Sequence, residues 1–200
     1  MFPRRPSSGE GKSDTYEQGA PKRKDEAMPI SVHSISPCLW FDGQAEEAAN
    51  FYVSVFENSR IGSISRFSEE GYEIHGGKAG TVMTVEFEIR GQTFVALNGG
   101  PHFKFNEAVS FQVYCDAQKD IDYFWEKLSE GGQEGPCGWL KDRYGVSWQV
   151  VPIALTRMLM DSNAEKVRRV TGAFLQMKKF DVDALKRAFE GDQLVAGTSR

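Results

Sequence analysis

The chain repeats one structural pattern, and this repeat limits its fold more than any other feature. An apolar run, an aspartate and a helical stripe of apolar residues occur around Asp42 and again around Asp116, 74 residues later. Each stretch predicts a strand followed by an amphipathic helix, with the aspartate as the helix cap. A chain made of two such units is expected to fold as two similar modules.

Strand-like segments follow each predicted helix. They lie at about 61–68, 81–90 and 93–99 in the first unit, and at about 137–141 and 146–152 in the second. "RGQ" predicts a two-residue hairpin turn at Gly91 and Gln92, and "DRYG" predicts a turn with its glycine in the last position. Both units therefore predict βαβββ, an α+β fold of paired modules, with added helices after Pro152.

The ends of the two units also align. "GQTFVAL" at 91–97 matches "GVSWQVV" at 145–151, so that Val95 and Gln149 hold equivalent positions. Because successive side chains of a strand point to opposite faces, each strand has an apolar set and a more polar set. The apolar sets are expected to pack against the helices. They are Pro37, Leu39 and Phe41; Phe94 and Ala96; Phe111, Val113 and Cys115; and Val146, Trp148 and Val150.

The polar sets predict a small-molecule site. If the two sheets curl toward each other, these sets line a cavity that carries a few polar groups among apolar ones, which is usual for such sites. The predicted ligand-binding residues are Ser36, Trp40, Val95, Ser110, Gln112 and Gln149.

Three residues are candidates for acid or base chemistry. The predicted hairpin places Glu88 opposite Val95 and Glu86 opposite Leu97, on the cavity face. Their alternative role is that of solvent-side residues near a sheet rim. His102 lies in the linker "GGPHFKFN" and is a candidate because histidine is the usual residue for acid or base chemistry near neutral pH; its alternative role is that of a spacer between modules.

Three segments resemble a known family. "PCLWFDGQAEEAANFYVSVF", "LNGGPHFKFNEAVSF" and "GPCGWLKDRYGVSWQVVP" are similar to the PhnB-like branch of the vicinal oxygen chelate (glyoxalase/bleomycin-resistance/dioxygenase) superfamily, and the resemblance extends over about 33–190. Members often carry the domain description 3-demethylubiquinone-9 3-methyltransferase. The resemblance implies paired βαβββ modules, a small-molecule ligand and a homodimer.

Superfamily enzymes typically bind a divalent metal through His or Glu side chains. Carried onto this chain, those positions fall at Ser36 (or Ile35), Ser110 (or Val109), Val95 and Gln149, and none is His, Glu, Asp or Cys. These side chains are poor ligands for such an ion, so no metal and no other cofactor is expected. The alternative is a metal held by Glu88, His102 or Gln149.

These observations lead to three hypotheses for the function. We expect a protein that binds a small metabolite without the usual metal, with catalysis unassigned. The first alternative is a metal-dependent lyase or oxidoreductase of the glyoxalase/dioxygenase type. The second, a methyltransferase, is disfavoured because the Gly pairs are isolated doublets and not the glycine-rich loop typical of enzymes that use S-adenosylmethionine.

Charge and composition exclude other classes. The 24 basic and 28 acidic residues give a formal charge of −4, which provides no basic surface for nucleic acid or an anionic membrane. No run approaches the roughly 18 apolar residues of a membrane span, and we expect a cytoplasmic protein. The domain boundaries that we predict are a disordered segment at 1–29, modules at 30–100 and 101–152, C-terminal helices at 153–190 that pack on the domain or on a dimer partner, and a frayed tail at 191–200.

Overall fold

A computed structural model describes residues 34–191 of the chain. The predicted disordered segment 1–29 and residues 192–200 of the predicted tail lie outside the described residues. Residues from Ser36 onward belong to one compact unit, which holds all the elements described below.

The first module contains four strands and two helices. In chain order these are β1 (Cys38–Phe41), α1 (Ala45–Val55), β2 (Ser59–Arg66), α2 (Tyr72–His75), β3 (Val82–Ile89) and β4 (Gln92–Asn98). The second module repeats the order without the short helix. It contains β5 (Phe111–Cys115), α3 (Gln118–Ser129), β6 (Gln133–Glu134), β7 (Trp139–Lys141) and β8 (Ser147–Pro152).

Each module forms its own four-stranded sheet. The strand orders are β1-β4-β3-β2 in the first sheet, the N-sheet, and β5-β8-β7-β6 in the second, the C-sheet. The pairs β1/β4 and β5/β8 are parallel, and the other pairs are antiparallel. Cys38 lies opposite Val95, and Gln112 lies opposite Gln149. The predicted fold and the equivalence of Val95 with Gln149 are therefore confirmed.

The predicted hairpin register was wrong by two positions. The turn consists of Arg90 and Gly91, with φ angles of 48° and 89°, so both residues adopt the left-handed conformation of a type I′ turn. Glu88 consequently pairs with Thr93, and Glu86 pairs with Val95. A shift of two residues is one period of a strand, so both carboxylates still lie on the face of Val95.

The predicted caps of the first two long helices were also wrong. The first backbone N–H of α1, from Ala45, donates to Asn98 Oδ1 at 2.9 Å, so a residue at the end of β4 takes the role predicted for Asp42. The N-cap of α3 is Ala117, whose N–H donates to Asp120 Oδ2 at 3.2 Å, and Asp116 lies outside the helix. Both differences depend on how the chain enters the helix, which apolar periodicity does not determine.

The apolar faces of the two sheets share one hydrophobic core. Tyr52 of α1 contacts Phe87 of the N-sheet and Trp148 of the C-sheet, with ring centroids 5.9 Å and 5.5 Å apart. Phe94 and Phe111 join the two sheets directly, with centroids 5.3 Å apart. Because side chains alternate, the more polar faces point away from this core. We call them the outer faces, and they do not curl toward each other within one chain.

The C-terminal helices pack on the second module of the same chain. They are α4 (Ile153–Leu159), α5 (Ala164–Phe174) and α6 (Val182–Glu190). Leu155, Val170, Phe180 and Leu185 form a second small core. The side chain of Gln118 at the start of α3 donates to Phe180 O at 3.0 Å and accepts from the Val182 N–H at 2.8 Å. These two bonds attach the backbone at the start of α6 to the second module.

None of the helices within residues 34–191 has the length and apolar character that crossing a membrane requires.

Candidate functional site

A chain of hydrogen bonds crosses the outer face of the C-sheet. Tyr114 Oη donates to Gln112 Oε1, Gln112 Nε2 donates to Gln149 Oε1 at 3.2 Å, and Gln149 Nε2 donates to Ser110 Oγ at 2.8 Å. We call these four residues the polar ladder. Three predicted ligand-binding residues, Ser110, Gln112 and Gln149, are therefore brought together by the parallel pairing of β5 with β8.

A pocket of about 450 Å³ adjoins the polar ladder. Trp139 and Lys141 of β7 line it, and these residues pair with Gln149 and Ser147 of β8. Trp139 is half-buried beside the ladder, so its ring offers an apolar surface next to polar groups. The ladder residues do not line the pocket themselves, but Trp139 in its wall is the β7 partner of Gln149, so the pocket and the ladder lie side by side.

The linker between the modules closes one end of this pocket. Glu107 forms an ion pair with Lys141, with the Nζ and Oε1 atoms 2.5 Å apart, and Ser147 Oγ donates to Asn106 O at 3.4 Å. The ammonium beside Glu107 lowers the pKa of that carboxyl. The ion pair was not identified from the sequence, because the residues are 34 positions apart and "NEAVSF" gives no indication of which strand it approaches.

The other predicted binding residues lie on the first module. Cys38, Trp40 and Val95 lie on the outer face of the N-sheet, and Ser36 lies just before β1 on the same side. Trp40 Nε1 donates to Gly100 O at 2.8 Å, and the Trp40 ring meets Phe103 with centroids 4.9 Å apart. The structure does not bring this group together with the polar ladder, because the two outer faces diverge.

The three candidate acids and bases are also separated from the ladder. Glu88 forms an ion pair with Arg60, which holds the carboxylate at the rim of the N-sheet. Glu86 is exposed and lies over Gly62, and His102 is exposed on the linker. Within one chain, none of them shares a surface with Gln149.

Neither Cys115 nor Cys38 is an activated nucleophile. Cys115 is buried, and burial raises the pKa of its thiol to about 12, with smaller contributions from Asp120 and Asp116. Partial desolvation also raises the pKa of Cys38, although this residue is exposed. A thiolate is the reactive form of cysteine, so these two residues are poorly suited to covalent chemistry near neutral pH.

A buried carboxylate connects the modules, and sequence reasoning missed it. Asp142 Oδ2 accepts from Tyr52 Oη and from Trp148 Nε1, each at 2.8 Å, while Oδ1 accepts from the backbone N–H of Tyr144 and Val146. Burial raises the pKa of Asp142 in spite of these four donors. The aspartate that opens "DRYG" predicted a turn, but its bond to Tyr52, 90 residues away, is visible only in the fold.

The residues at the superfamily's metal positions do not fit a divalent metal. Ser36, Val95, Ser110 and Gln149 offer hydroxyl, alkyl and amide groups, and the amide of Gln149 is engaged at both ends by the ladder. Across residues 34–191, no group of three or more His, Cys, Asp and Glu side chains is arranged to hold a metal ion.

Two sheets of order 1-4-3-2, each with a helix on its apolar face, define a protein of the glyoxalase/bleomycin-resistance fold with added C-terminal helices. A family model described as 3-demethylubiquinone-9 3-methyltransferase matches residues 33–151, and the chain belongs to this family. The match ends before α4, so it includes both modules and not the C-terminal helices.

The chain is also similar to several solved structures. A PhnB protein from Bacillus cereus, which carries the same methyltransferase description, is 39% identical, covers 60% of this chain and 99% of its own, and superimposes with a TM-score of 0.52. Protein PA1353 from Pseudomonas aeruginosa matches at 19% identity over 60% of this chain and 98% of its own, with a TM-score of 0.49. A glyoxylase/bleomycin resistance protein/dioxygenase domain from Frankia sp. EAN1pec matches at 14% identity, over 61% and 93%, with a TM-score of 0.38. No curated protein matches the chain.

Proposed function

We propose that this protein binds a small metabolite on the outer face of the C-sheet, without a catalytic metal. The polar ladder is the observation that carries the proposal. Ser110, Gln112, Tyr114 and Gln149 hold one another in fixed positions on a partly exposed sheet face, beside a pocket of about 450 Å³. A few placed polar groups next to an apolar aromatic surface are the usual composition of a ligand site.

The site is completed by a second copy of the chain. The ladder is open to solvent on one side, since Gln112 and Tyr114 are exposed. The outer face of the N-sheet carries Trp40 and Val95 but points away from the ladder in the same chain. We therefore propose a homodimer in which the N-sheet of one subunit covers the C-sheet of the other, and this arrangement brings both predicted groups of binding residues to one cavity.

Glu86 and Glu88 are the candidate acid or base residues in this arrangement, with His102 on the linker. A carboxylate brought from the N-sheet of one subunit would face the neutral ladder of the other, and the dimer is therefore required for any such chemistry. Turnover is unassigned, because fold alone does not determine function.

The two alternatives have less support. A metal-dependent lyase or oxidoreductase needs several strong ligands at one point, and the ladder offers amide and hydroxyl groups. A methyltransferase that uses S-adenosylmethionine normally has a doubly wound parallel sheet, whereas each sheet here has a single parallel pair. Location in the cytoplasm remains a prediction.

Native mass spectrometry of the purified full-length protein tests the proposal. We expect a dimer that carries a small molecule, which is released on denaturation and can be identified by its mass. Gln149→Arg, which places a large cation in the ladder, should remove the ligand. Gln176→Arg, at an exposed position between α5 and α6, is the matched control and should retain it. Ligand retention by Gln149→Arg at the wild-type level would contradict the proposed site.

A further inference from the structure

A tight turn between β6 and β7 forms part of the wall of the pocket beside the polar ladder. The turn begins at Pro136 and ends at Trp139, whose N–H donates to Pro136 O at 3.0 Å. Pro136 and Trp139 both line the pocket, and Trp139 pairs with Gln149 of the ladder. The conformation of this turn therefore determines where the aromatic wall of the pocket lies.

The two central residues of the turn adopt a conformation that only one of them favours. Cys137 and Gly138 have φ angles of 54° and 79°, so both are left-handed, as in a type I′ turn. Glycine adopts this conformation readily, whereas cysteine does so rarely, and the residues preferred at its position are Asn, Asp and Gly. Contacts from outside the turn are therefore needed to hold Cys137 in place.

The C-terminal helices supply such contacts. We call α4, α5, α6 and the segments that connect them (153–191) the C-terminal layer. The N–H groups of Cys137 and Gly138 donate to Met177 O and Lys178 O, each at 2.7 Å. Both acceptors lie in the segment between α5 and α6, so two consecutive N–H groups of the turn pair with two consecutive carbonyls of the layer.

Side-chain packing holds the same turn. Gly138 is buried, and a Cβ at this position would collide with the Phe180 ring and with Val150 O. Phe180 belongs to the small core of the C-terminal layer, and Cys137 packs against that core. The layer therefore contacts the turn through two backbone hydrogen bonds and through the ring that lies against Gly138.

We infer that the C-terminal layer is a positioning element of the ligand site. By holding the turn, it fixes the Trp139 ring beside Gln149, although none of residues 153–191 lines the pocket itself. The inference rests on the proposed function, because it concerns the same pocket. The family match ends at residue 151, so the layer lies outside the part of the chain that matches the family model.

Phe180→Leu tests this role from a position outside the pocket. The full-length protein is labelled with fluorotryptophan, and the fluorine resonance of Trp139 is identified by its absence from Trp139→Phe. We expect Phe180→Leu to shift or broaden this resonance and to lower ligand retention in native mass spectrometry by at least about threefold, because the wall is less pre-organised. Leu185→Val shortens another buried side chain of the same core and is the matched control.

Two glycine variants separate the contact with the layer from the left-handed conformation itself. Gly138→Ala and Gly145→Ala both place a side chain at a positive φ, 79° and 86°, but a Cβ at 145 has open space around it. Gly138→Ala should therefore lower ligand retention more than Gly145→Ala does, and equal effects would contradict the inference. The effects of Gly138→Ala and Phe180→Leu should be less than additive, because the smaller side chain relieves part of the collision.

Hydrogen exchange keeps the inference testable if Gly138→Ala does not fold. The amides of Cys137 and Gly138 exchange only when their bonds to the layer open. Phe180→Leu should speed the exchange of both amides by about fivefold or more. The Val95 amide, which donates to Pro37 O in the N-sheet, should keep its wild-type rate.

The inference is overturned if Phe180→Leu changes the Trp139 resonance and ligand retention no more than Leu185→Val does. Its failure is distinguishable from failure of the proposed function. A ligand that depends on Gln149 but not on Phe180 would refute only the role of the layer. A ligand that is insensitive to Gln149→Arg would refute the proposed site, and the Trp139 resonance would still show whether the layer positions the turn.

Discussion

Replacing Asp142 by alanine is expected to weaken the contact between the two modules. The carboxylate is 3% exposed and accepts from Tyr52 of the first module and Trp148 of the second. Tyr52 is 0% exposed and Trp148 is 3% exposed, so alanine leaves both donors without an acceptor and without water. At about 1–3 kcal/mol for each buried unsatisfied donor, less the desolvation cost that the carboxylate no longer bears, we expect a net loss of about 2–4 kcal/mol.

Denaturant unfolding followed by tryptophan fluorescence measures this loss. Tyr52→Phe removes one donor and leaves three, and it should cost about 1 kcal/mol. The double variant Tyr52→Phe, Asp142→Ala should be less destabilised than the sum of the single variants by at least about 0.5 kcal/mol, because the two residues share one bond. Asp42→Ala, an exposed aspartate in a turn, is the matched control and should change stability by less than about 0.5 kcal/mol. A loss at Asp142 no larger than this control would refute the structural role of the network.

The same carboxyl should give the stability a defined pH dependence. Burial raises the pKa of Asp142 above the ordinary 3.8, so the folded protein binds this proton more tightly than the unfolded chain does. The contribution of Asp142 to stability is therefore greatest below pH 3.8 and declines as the pH rises through the raised value. The variant Asp142→Asn has no titratable group at this position, so its stability lacks this pH dependence. The stability of the wild type relative to Asp142→Asn should rise as the pH falls from 7 toward 4, and a difference that does not change with pH would contradict the raised pKa.

Three further predictions concern the glycine under Trp40, the buried thiol and the metal. Gly99→Ala places a Cβ in steric conflict with the Trp40 ring, so it should shift the tryptophan fluorescence and lower stability by about 1–3 kcal/mol; Gly172→Ala, with open space around its Cβ in α5, should be neutral or stabilising by up to about 1 kcal/mol. Cys115 should react with thiol reagents at pH 8 only after unfolding, since its pKa is about 12; modification of the native protein at this site would contradict its burial. Elemental analysis should find no stoichiometric divalent metal, and Gln149→Glu should gain metal affinity only when Ser36 and Ser110 are also replaced by ligands; tight binding by the single variant would mean that the metal positions are misassigned.

Much of the fold could be predicted from local patterns. The alternation in "GQTFVAL" and "GVSWQVV" predicted which faces of β4 and β8 are buried, and the repeat predicted that Val95 and Gln149 are equivalent. The alignment of the two modules is confirmed by the pairing of Val95 with Cys38 and of Gln149 with Gln112. The two turn residues of the hairpin were predicted one position too late, which moved the predicted pairing register by two. Arg90 was not expected in a left-handed conformation, because this conformation is unfavourable for a residue with a side chain.

The candidate site could be predicted only in part. Strand parity and the family resemblance predicted that Ser110, Gln112 and Gln149 share a face, and the structure shows that they bond to one another. The contacts of Lys141 with Glu107 and of Asp142 with Tyr52 were not predicted, because both join segments that are far apart in the chain. Their partners depend on how complete modules pack.

The sequence by itself determined the elements, the repeat and the division of each sheet into an apolar and a polar face, because these follow from spacing along the chain. Only the tertiary structure decided which faces meet. The two apolar faces share one core through Tyr52, Phe94, Phe111 and Trp148, and the two polar faces are therefore turned outward. Periodicity shows that a face must be buried but does not identify what buries it, since apolar contact is non-directional and the partner is chosen by the shape of the whole fold.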